Sequence, residues 1–278
     1  MKGPPDGFSS RWWTVRGLRL HALESAAGPG TSAVLLPGLV TASRSMVPLA
    51  RALASRGVHS WILDPPGFGY SDKPHRVLSL PEQAALVAEW LAVIGCRPAR
   101  LLGNSFGSQL AATVAADHRG AVERLVLLSP TVSPQLRKRL SWLAARPAQT
   151  GSAFRPSGRW RAHLLRRVHG VLGSEPPLRV LNLAEYGCAS LPRAAGTLRD
   201  AVTEPIEQVL PRASGPALVI RADRDRLSSF EWAAQLARTA QNGKLARLPG
   251  LGHDAFYRAP GAVTAVATPF LTGRWQPW

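Results

Sequence analysis

Short apolar runs alternate along the chain with segments in which apolar residues recur every three or four positions. The short runs predict buried strands, and the periodic segments between them predict amphipathic helices. This alternation favours an α/β fold with a mostly parallel, doubly wound sheet covered on both faces. The predicted strands are Arg11–Val15, Leu18–Glu24, Ala33–Leu36, His59–Leu63, Arg100–Leu102, Val122–Leu128, Ala217–Ile220 and Leu245–Leu248.

The helical segments follow the same order along the chain. We predict helices over Met46–Arg56, Ser79–Ile94 and Ser108–Asp117, each of them after a strand. Residues 131–210 break the alternation, because proline-punctuated helical patterns replace strands there. The helices predicted in that segment are Pro134–Ala145, Trp160–Leu172, Leu178–Leu191 and Ala194–Val209.

Length and composition indicate a single compact globular unit. The chain has 278 residues, of which 45% are hydrophobic and 18% charged, and its apolar runs are too short to span a bilayer. Residues 1–10 lack the apolar core of a secretory signal, so we expect a cytoplasmic location. The two cysteines, Cys96 and Cys188, are then expected to be reduced.

A formal net charge of +17 makes nucleic acid, anionic lipid and acidic substrates candidate partners. The excess is almost entirely arginine, since the chain has lysine only at Lys2, Lys73, Lys138 and Lys244. No helix-turn-helix spacing, zinc-ligand cluster or aromatic pattern of an RNA-binding sheet accompanies the charge. These absences argue against nucleic acid as a partner.

A serine lies between the strand that ends at Leu102 and the helix that begins at Ser108. It is the centre of Gly103-Asn104-Ser105-Phe106-Gly107, with a glycine two positions before it and another two positions after it. In a nucleophile elbow such glycines let the strand and the helix approach each other closely. Ser105 is therefore the candidate nucleophile, and a glycine-rich turn without chemistry is the alternative interpretation.

A serine nucleophile needs a base, and the base needs an acid to orient it. The strand ending at Ile220 leads into Arg221-Ala222-Asp223-Arg224-Asp225, at the sheet edge where ligands bind. We favour Asp225 as this acid, with Asp223 as the main rival and Asp64 as a distant one. The last strand leads into a glycine-rich loop that delivers His253 to the same edge.

Several segments together resemble the α/β-hydrolase superfamily across nearly the whole chain. They are Pro37-Gly38, Asp64-Pro65-Pro66-Gly67-Phe68-Gly69-Tyr70-Ser71-Asp72, the elbow, Ala222–Asp225 and Gly252-His253. The resemblance implies a triad of Ser105, Asp225 and His253, with an oxyanion hole formed by the backbone N–H groups of Leu39 and Phe106.

Two further features bear on the resemblance. Relatives that open epoxides or displace halide carry aspartate at the elbow, so Ser105 disfavours those activities. Pro37 stands where the family usually has histidine, which removes an imidazole and a backbone donor from the oxyanion loop.

The resemblance also implies a helical cap inserted into the core. We expect the core to comprise residues 1–130 and 211–278 and the cap residues 131–210. The first half of this cap is basic, which could favour an anionic or carrier-linked substrate, although a solvated arginine face is the preferred interpretation. Its basic residues are Arg137, Lys138, Arg139, Arg146, Arg155, Arg159, Arg161, Arg166 and Arg167.

The expected function is hydrolysis of a small-molecule ester, thioester or lactone through an acyl-enzyme on Ser105, without metal or cofactor. Two alternatives remain open. The Gly-Asn-Ser start of the elbow is similar to a subgroup that hydrolyses C–C bonds of diketone-like substrates. The other alternative is a catalytically weak ligand-binding or interaction protein of the same fold.

Overall fold

One sheet of eight strands organises the part of the chain that the computed structural model describes, residues 4–26, 30–130, 133–144, 177–188 and 191–275. The strand order is β1-β2-β4-β3-β5-β6-β7-β8; β2 pairs antiparallel with β1 and β4, and the pairs from β4 to β8 are parallel. The predicted mostly parallel sheet is confirmed. Its strands are β1 Phe8–Val15, β2 Leu18–Ser25, β3 Thr31–Leu36, β4 Val58–Leu63, β5 Ala99–Asn104, β6 Val122–Leu128, β7 Ala217–Ala222 and β8 Lys244–Leu248.

Ten α-helices are formed within the described residues. Short 3₁₀ turns at Ser43–Met46 and Leu210–Arg212 accompany them. The helices are α1 Val47–Ala54, α2 Leu80–Val93, α3 Phe106–Asp117, α4 Pro134–Ala144, α5 Leu178–Cys188, α6 Leu191–Thr203, α7 Ile206–Val209, α8 Phe230–Thr239, α9 Ala255–Arg258 and α10 Pro260–Leu271.

Two hydrophobic cores cover the two faces of the sheet. Alternate residues of β3 divide between them, with Val34 and Leu36 in one core and Ala33 and Leu35 in the other. Helices α2, α3 and α8 complete the first core, and α1, α9 and α10 complete the second. This two-sided burial explains why the parallel strands appear in the sequence as continuous apolar runs.

The helices between β6 and β7 differ from the expected pattern in two places. The predicted helix Ala194–Val209 is two helices, α6 and α7, because Pro205 caps α7 in an extended conformation with φ −76° and ψ 111°. The predicted helix Leu178–Leu191 ends at Cys188, and Leu191 begins α6. The predicted helix Trp160–Leu172 lies outside the described residues.

Two other predicted boundaries need correction. Helix α3 begins at Phe106 rather than at Ser108, so it starts directly after Ser105. The segment predicted as the helix Met46–Arg56 consists of a 3₁₀ turn that ends at Met46 and the shorter helix α1. None of the described helices is both long enough and apolar enough to cross a membrane.

Candidate active site

Ser105 occupies a sharp turn between the end of β5 and the first residue of α3. Its φ is 55° and its ψ is −119°, a conformation that residues other than glycine rarely adopt. Backbone strain of this kind costs about 1–3 kcal/mol and persists only where the surrounding structure enforces it. The turn therefore has the backbone geometry expected of a nucleophile elbow.

Close backbone packing around this turn excludes side chains at two positions. A Cβ atom at Gly103 would lie 2.2 Å from the carbonyl oxygen of Gly107, and one at Gly107 would lie 2.1 Å from the carbonyl oxygen of Leu36. The loop after β3 also lies against the serine, since a Cβ atom at Gly38 would be 3.3 Å from the Cβ of Ser105. The packing thus explains both glycines of the elbow and places the Gly38 loop beside Ser105.

His253 and Asp225 form a hydrogen-bonded pair at the carboxyl edge of the sheet. The Nδ1 atom of His253 lies 2.9 Å from Oδ2 of Asp225, whose side chain is fully buried, while 28% of the His253 side chain is exposed. The other carboxylate oxygen, Oδ1, accepts the backbone N–H groups of Leu227 at 2.8 Å and Ser228 at 3.2 Å. Because β7 and β8 are neighbouring parallel strands, the loops after them bring the two side chains together.

The surroundings of Asp225 favour its charged form. Burial acts to raise the pKa of this carboxyl, but the hydrogen bond and charge of His253 and the N–H of Leu227 outweigh it, so the pKa is lowered. An ionised Asp225 accepts a hydrogen bond from the N–H at Nδ1 of His253. When the ring is neutral, Nε2 is therefore the nitrogen that can take up a proton.

A model of the alpha/beta hydrolase family matches residues 33–266 of the sequence. The matched region includes the strand–turn–helix at Ser105 as well as both members of the His253–Asp225 pair. The chain belongs to the alpha/beta hydrolase family. Its eight-stranded sheet with helices on both faces is the architecture that the sequence resemblance implies.

Several proteins are similar to this hydrolase over most of its length. The AB hydrolase superfamily protein YisY of Bacillus subtilis is 27% identical over 232 residues, which are 78% of this chain and 83% of YisY. The structure of a thermophilic esterase from Thermogutta terrifontis has a TM-score of 0.72 at 20% identity. The match covers 96% of this chain and 100% of the esterase chain. The structure of the enol-lactonase from Burkholderia xenovorans has a TM-score of 0.70 at 19% identity. That match covers 94% of this chain and 100% of the lactonase chain. These two structural matches show a shared fold.

The alternative acids of this hydrolase have other partners. Asp223 pairs with Arg247, whose Nε and Nη2 atoms each lie 3.1 Å from one of its carboxylate oxygens. Asp64 is buried and lies 2.7 Å from Nδ1 of His21. The structure thus brings Asp225 to His253, and it brings neither Asp223 nor Asp64 there.

Leu39 and Phe106 are the residues whose N–H groups are the predicted oxyanion donors; Phe106 directly follows Ser105, and Leu39 directly follows Gly38, which lies against Ser105. Phe106 is the first residue of α3, and the first N–H groups of a helix have no partner within it. Leu39 follows Gly38 in a tight loop, where both the N–H and the hydroxyl of Thr41 donate to the carbonyl of Gly38, at 3.3 Å and 3.0 Å. The side chain at position 37 takes no part in these hydrogen bonds, so proline there is compatible with the loop.

Two polar features near the site were not predicted from the sequence. The carboxylate of Asp64 accepts the backbone N–H groups of Ser43 and Tyr70, both at 2.7 Å, in addition to its contact with His21. Glu185 on α5 is buried and accepts the backbone N–H of Ala42 at 2.8 Å. The only sequence signal for Asp64 was the Asp-Pro-Pro-Gly-Phe-Gly-Tyr-Ser-Asp stretch, and Glu185 had none.

The basic residues of the 131–210 segment are only partly described. Arg137 forms an ion pair with Glu207, which neutralises one of the charges that could have favoured an anionic substrate. Arg146 and the basic residues from Arg155 to Arg167 lie outside the described residues. Among the residues that the structure does describe, no group of three or more His, Cys, Asp or Glu side chains could hold a metal ion.

Proposed function

We propose that this hydrolase cleaves a carboxylic ester, thioester or lactone of a small molecule through an acyl-enzyme on Ser105. One observation carries the proposal: the strained turn at Ser105 and the His253–Asp225 pair lie at the same carboxyl edge of one sheet. The similar esterase and enol-lactonase, by their names, act on substrates with an ester-type carbonyl. They support the same class of bond here.

In the first step His253 acts as the general base. Its Nε2 atom takes the proton of the Ser105 hydroxyl while Oγ forms a bond to the substrate carbonyl carbon. Asp225 holds the ring in the orientation that this transfer requires. The carbonyl π electrons move onto oxygen, which becomes an oxyanion.

The N–H groups of Phe106 and Leu39 would then stabilise the oxyanion. Loss of one donor of this kind typically raises the barrier by about 3 kcal/mol. When the tetrahedral intermediate collapses, His253 returns the proton to the leaving group. Water attacks the acyl-enzyme by the same steps and regenerates Ser105.

We further propose that residues 131–210 cap the active site, with the core formed by residues 1–130 and 211–278. Described contacts from this segment reach the loops after β3 and β4, which follow the same edge of the sheet. Arg193 on α6 packs over Gly67 and donates to the carbonyl of Pro74 at 2.6 Å, and Glu185 on α5 bonds Ala42. A cap in this position would select the acyl group.

Multiple-turnover hydrolysis by defined variants tests the proposed function. The substrates are p-nitrophenyl acetate, butyrate and octanoate, a γ-lactone and an N-acetylcysteamine thioester. We expect Ser105→Ala and His253→Ala to lose turnover, and the matched controls Ser55→Ala and His75→Ala, at exposed positions, to keep it. Turnover that survives in Ser105→Ala, or no turnover by the wild type on any of these substrates, would refute the proposal.

A further inference from the structure

Glu185 has surroundings that are unusual for a helical glutamate. Only 4% of the residue is exposed, although it lies on α5 in a segment that is otherwise rich in charge. Its Oε2 atom accepts the backbone N–H of Ala42 at 2.8 Å, across 143 positions of sequence. Its Oε1 atom is buried without a hydrogen-bond partner among the described residues.

The group that Glu185 holds belongs to the loop that carries Leu39. Ala42 lies three positions after Leu39, and the next N–H along the chain, that of Ser43, is bound by Asp64 at 2.7 Å. Two carboxyl groups therefore hold consecutive N–H groups of one loop. Asp64 comes from the core, where His21 supports it, whereas Glu185 comes from the 131–210 segment.

We propose that Glu185 is a positioning residue: by binding Ala42 it fixes α5 to the loop after β3 and so sets the position of the Leu39 N–H. This inference rests on the proposed function, because the Leu39 donor matters only if an oxyanion forms beside Ser105. Glu185 itself does not touch the reacting atoms.

The charges around Glu185 make this contact sensitive to pH. Burial and the negative charge of Asp64 raise the pKa of Glu185 to about 8, while the Ala42 N–H and the positive charge of Arg44 oppose the shift. Glu185 is consequently protonated at neutral pH. Its carboxylic acid is neutral beside the ionised Asp64, which avoids two negative charges in one buried site.

The direction of the pH effect follows from proton linkage. When α5 is docked on the loop, Glu185 keeps a proton that it would release at its ordinary pKa near 4.5 in water. Docking therefore weakens as pH rises from that value to about 8, and above about 8 the docked form carries a buried charge next to Asp64. The Leu39 loop loses its support as the docked Glu185 ionises, at about pH 8.

The pH dependence of Ser105 labelling by a fluorophosphonate measures this effect without a known substrate. Glu185→Gln keeps an oxygen that can accept the Ala42 N–H but cannot ionise. We expect the ratio of the wild-type labelling rate constant to that of Glu185→Gln to fall about tenfold between pH 7 and 9. A fall of this size is what a single ionisation of Glu185 near the middle of that range produces. The control Glu204→Gln, in the same segment, should keep the wild-type profile.

Hydrogen–deuterium exchange provides a readout that does not depend on catalysis. In the Ser105→Ala protein, a peptide spanning residues 39–46 should be protected at pH 7 and lose that protection at pH 9, after correction for intrinsic exchange. In the Ser105→Ala, Glu185→Gln double variant the protection should persist at pH 9. The Ser105→Ala protein keeps the natural residues in the loop and at position 185, so its exchange reports the unaltered contact.

The outcomes separate this inference from the proposed function. If fluorophosphonate labels the protein but not at Ser105, the proposed function fails, whatever the exchange data show. If Ser105 is labelled but Glu185→Gln has the wild-type profile, or protection of residues 39–46 is equal at pH 7 and 9, only the role of Glu185 is overturned.

Discussion

Two histidine–aspartate pairs lie in the part of the chain that the structure describes, and they are nearly identical as hydrogen bonds. In the first, Nδ1 of His253 lies 2.9 Å from Oδ2 of Asp225; in the second, Nδ1 of His21 lies 2.7 Å from Oδ2 of Asp64. They differ in access, because 28% of the His253 side chain is exposed and none of the His21 side chain is. Pair geometry alone therefore does not identify a general base.

The contacts around the second ring nitrogen of His21 explain why the His21–Asp64 pair is inaccessible to solvent. Its Nε2 atom lies 3.2 Å from the hydroxyl of Ser10, and the rings of Trp12 and Tyr70 lie with their centroids 4.7 Å and 5.0 Å from the imidazole. Ser10, His21 and Asp64 thus form a serine–histidine–aspartate array. Ser10, however, lies within β1, without the strained turn and the helix N-terminus that accompany Ser105.

The largest expected difference between the pairs is in catalysis. His253→Ala should lower the hydrolysis rate by at least about 10³-fold, because the serine loses its base. His21→Ala should lower it by less than about tenfold per folded molecule, because His21 is connected to the site indirectly, through Asp64 and the Ser43 loop. Hydrolysis rates normalised to the folded fraction from circular dichroism check both values. Equal rate losses in His253→Ala and His21→Ala would contradict the assignment of His253 alone as the general base.

The expected order is reversed for stability. Asp64→Asn should lower the free energy of unfolding by about 3 kcal/mol, since the buried charge is lost and an NH₂ group, which cannot accept a hydrogen bond, replaces one of the two accepting oxygens. Asp225→Asn should cost about 1–2 kcal/mol, yet it should reduce the rate by about 10⁴-fold through the wrong histidine tautomer. Urea unfolding followed by tryptophan fluorescence measures the free energy of unfolding of both variants. A larger stability loss in Asp225→Asn would contradict the assignment of Asp64 as the structural carboxylate.

The smallest effect is expected at the neighbouring carboxylate. Asp223→Asn removes an exposed ion pair with Arg247, and such pairs contribute about 0–1 kcal/mol. Activity should stay within about twofold of the wild type, since His253 keeps its partner Asp225. A large activity loss at position 223, with activity kept in Asp225→Asn, would exchange the roles of the two residues.

The elbow was predictable because its signal is local. Gly103, Ser105 and Gly107 lie within five residues, between a strand and a helix that the apolar pattern also predicts. The choice between Asp223 and Asp225 was not settled in the same way, because both follow β7. Only the three-dimensional arrangement directs Asp223 to Arg247 and Asp225 to His253.

Long-range polar contacts were beyond the sequence pattern. Glu185 looks like an ordinary solvent-exposed glutamate of an amphipathic helix, and its partner Ala42 offers only a backbone N–H. His21 and Asp64 are 43 positions apart and carry no shared motif. The helix boundary at Pro205 was missed for a different reason, because the apolar spacing continues across the proline from α6 into α7.

Site mapping of a fluorophosphonate adduct by peptide mass spectrometry identifies the nucleophilic serine directly. We expect a single modified serine, Ser105, with labelling lost in Ser105→Ala and in His253→Ala, and no modification of Ser10. An adduct at Ser10, or labelling undiminished in Ser105→Ala, would contradict the assignment of Ser105 as the nucleophile.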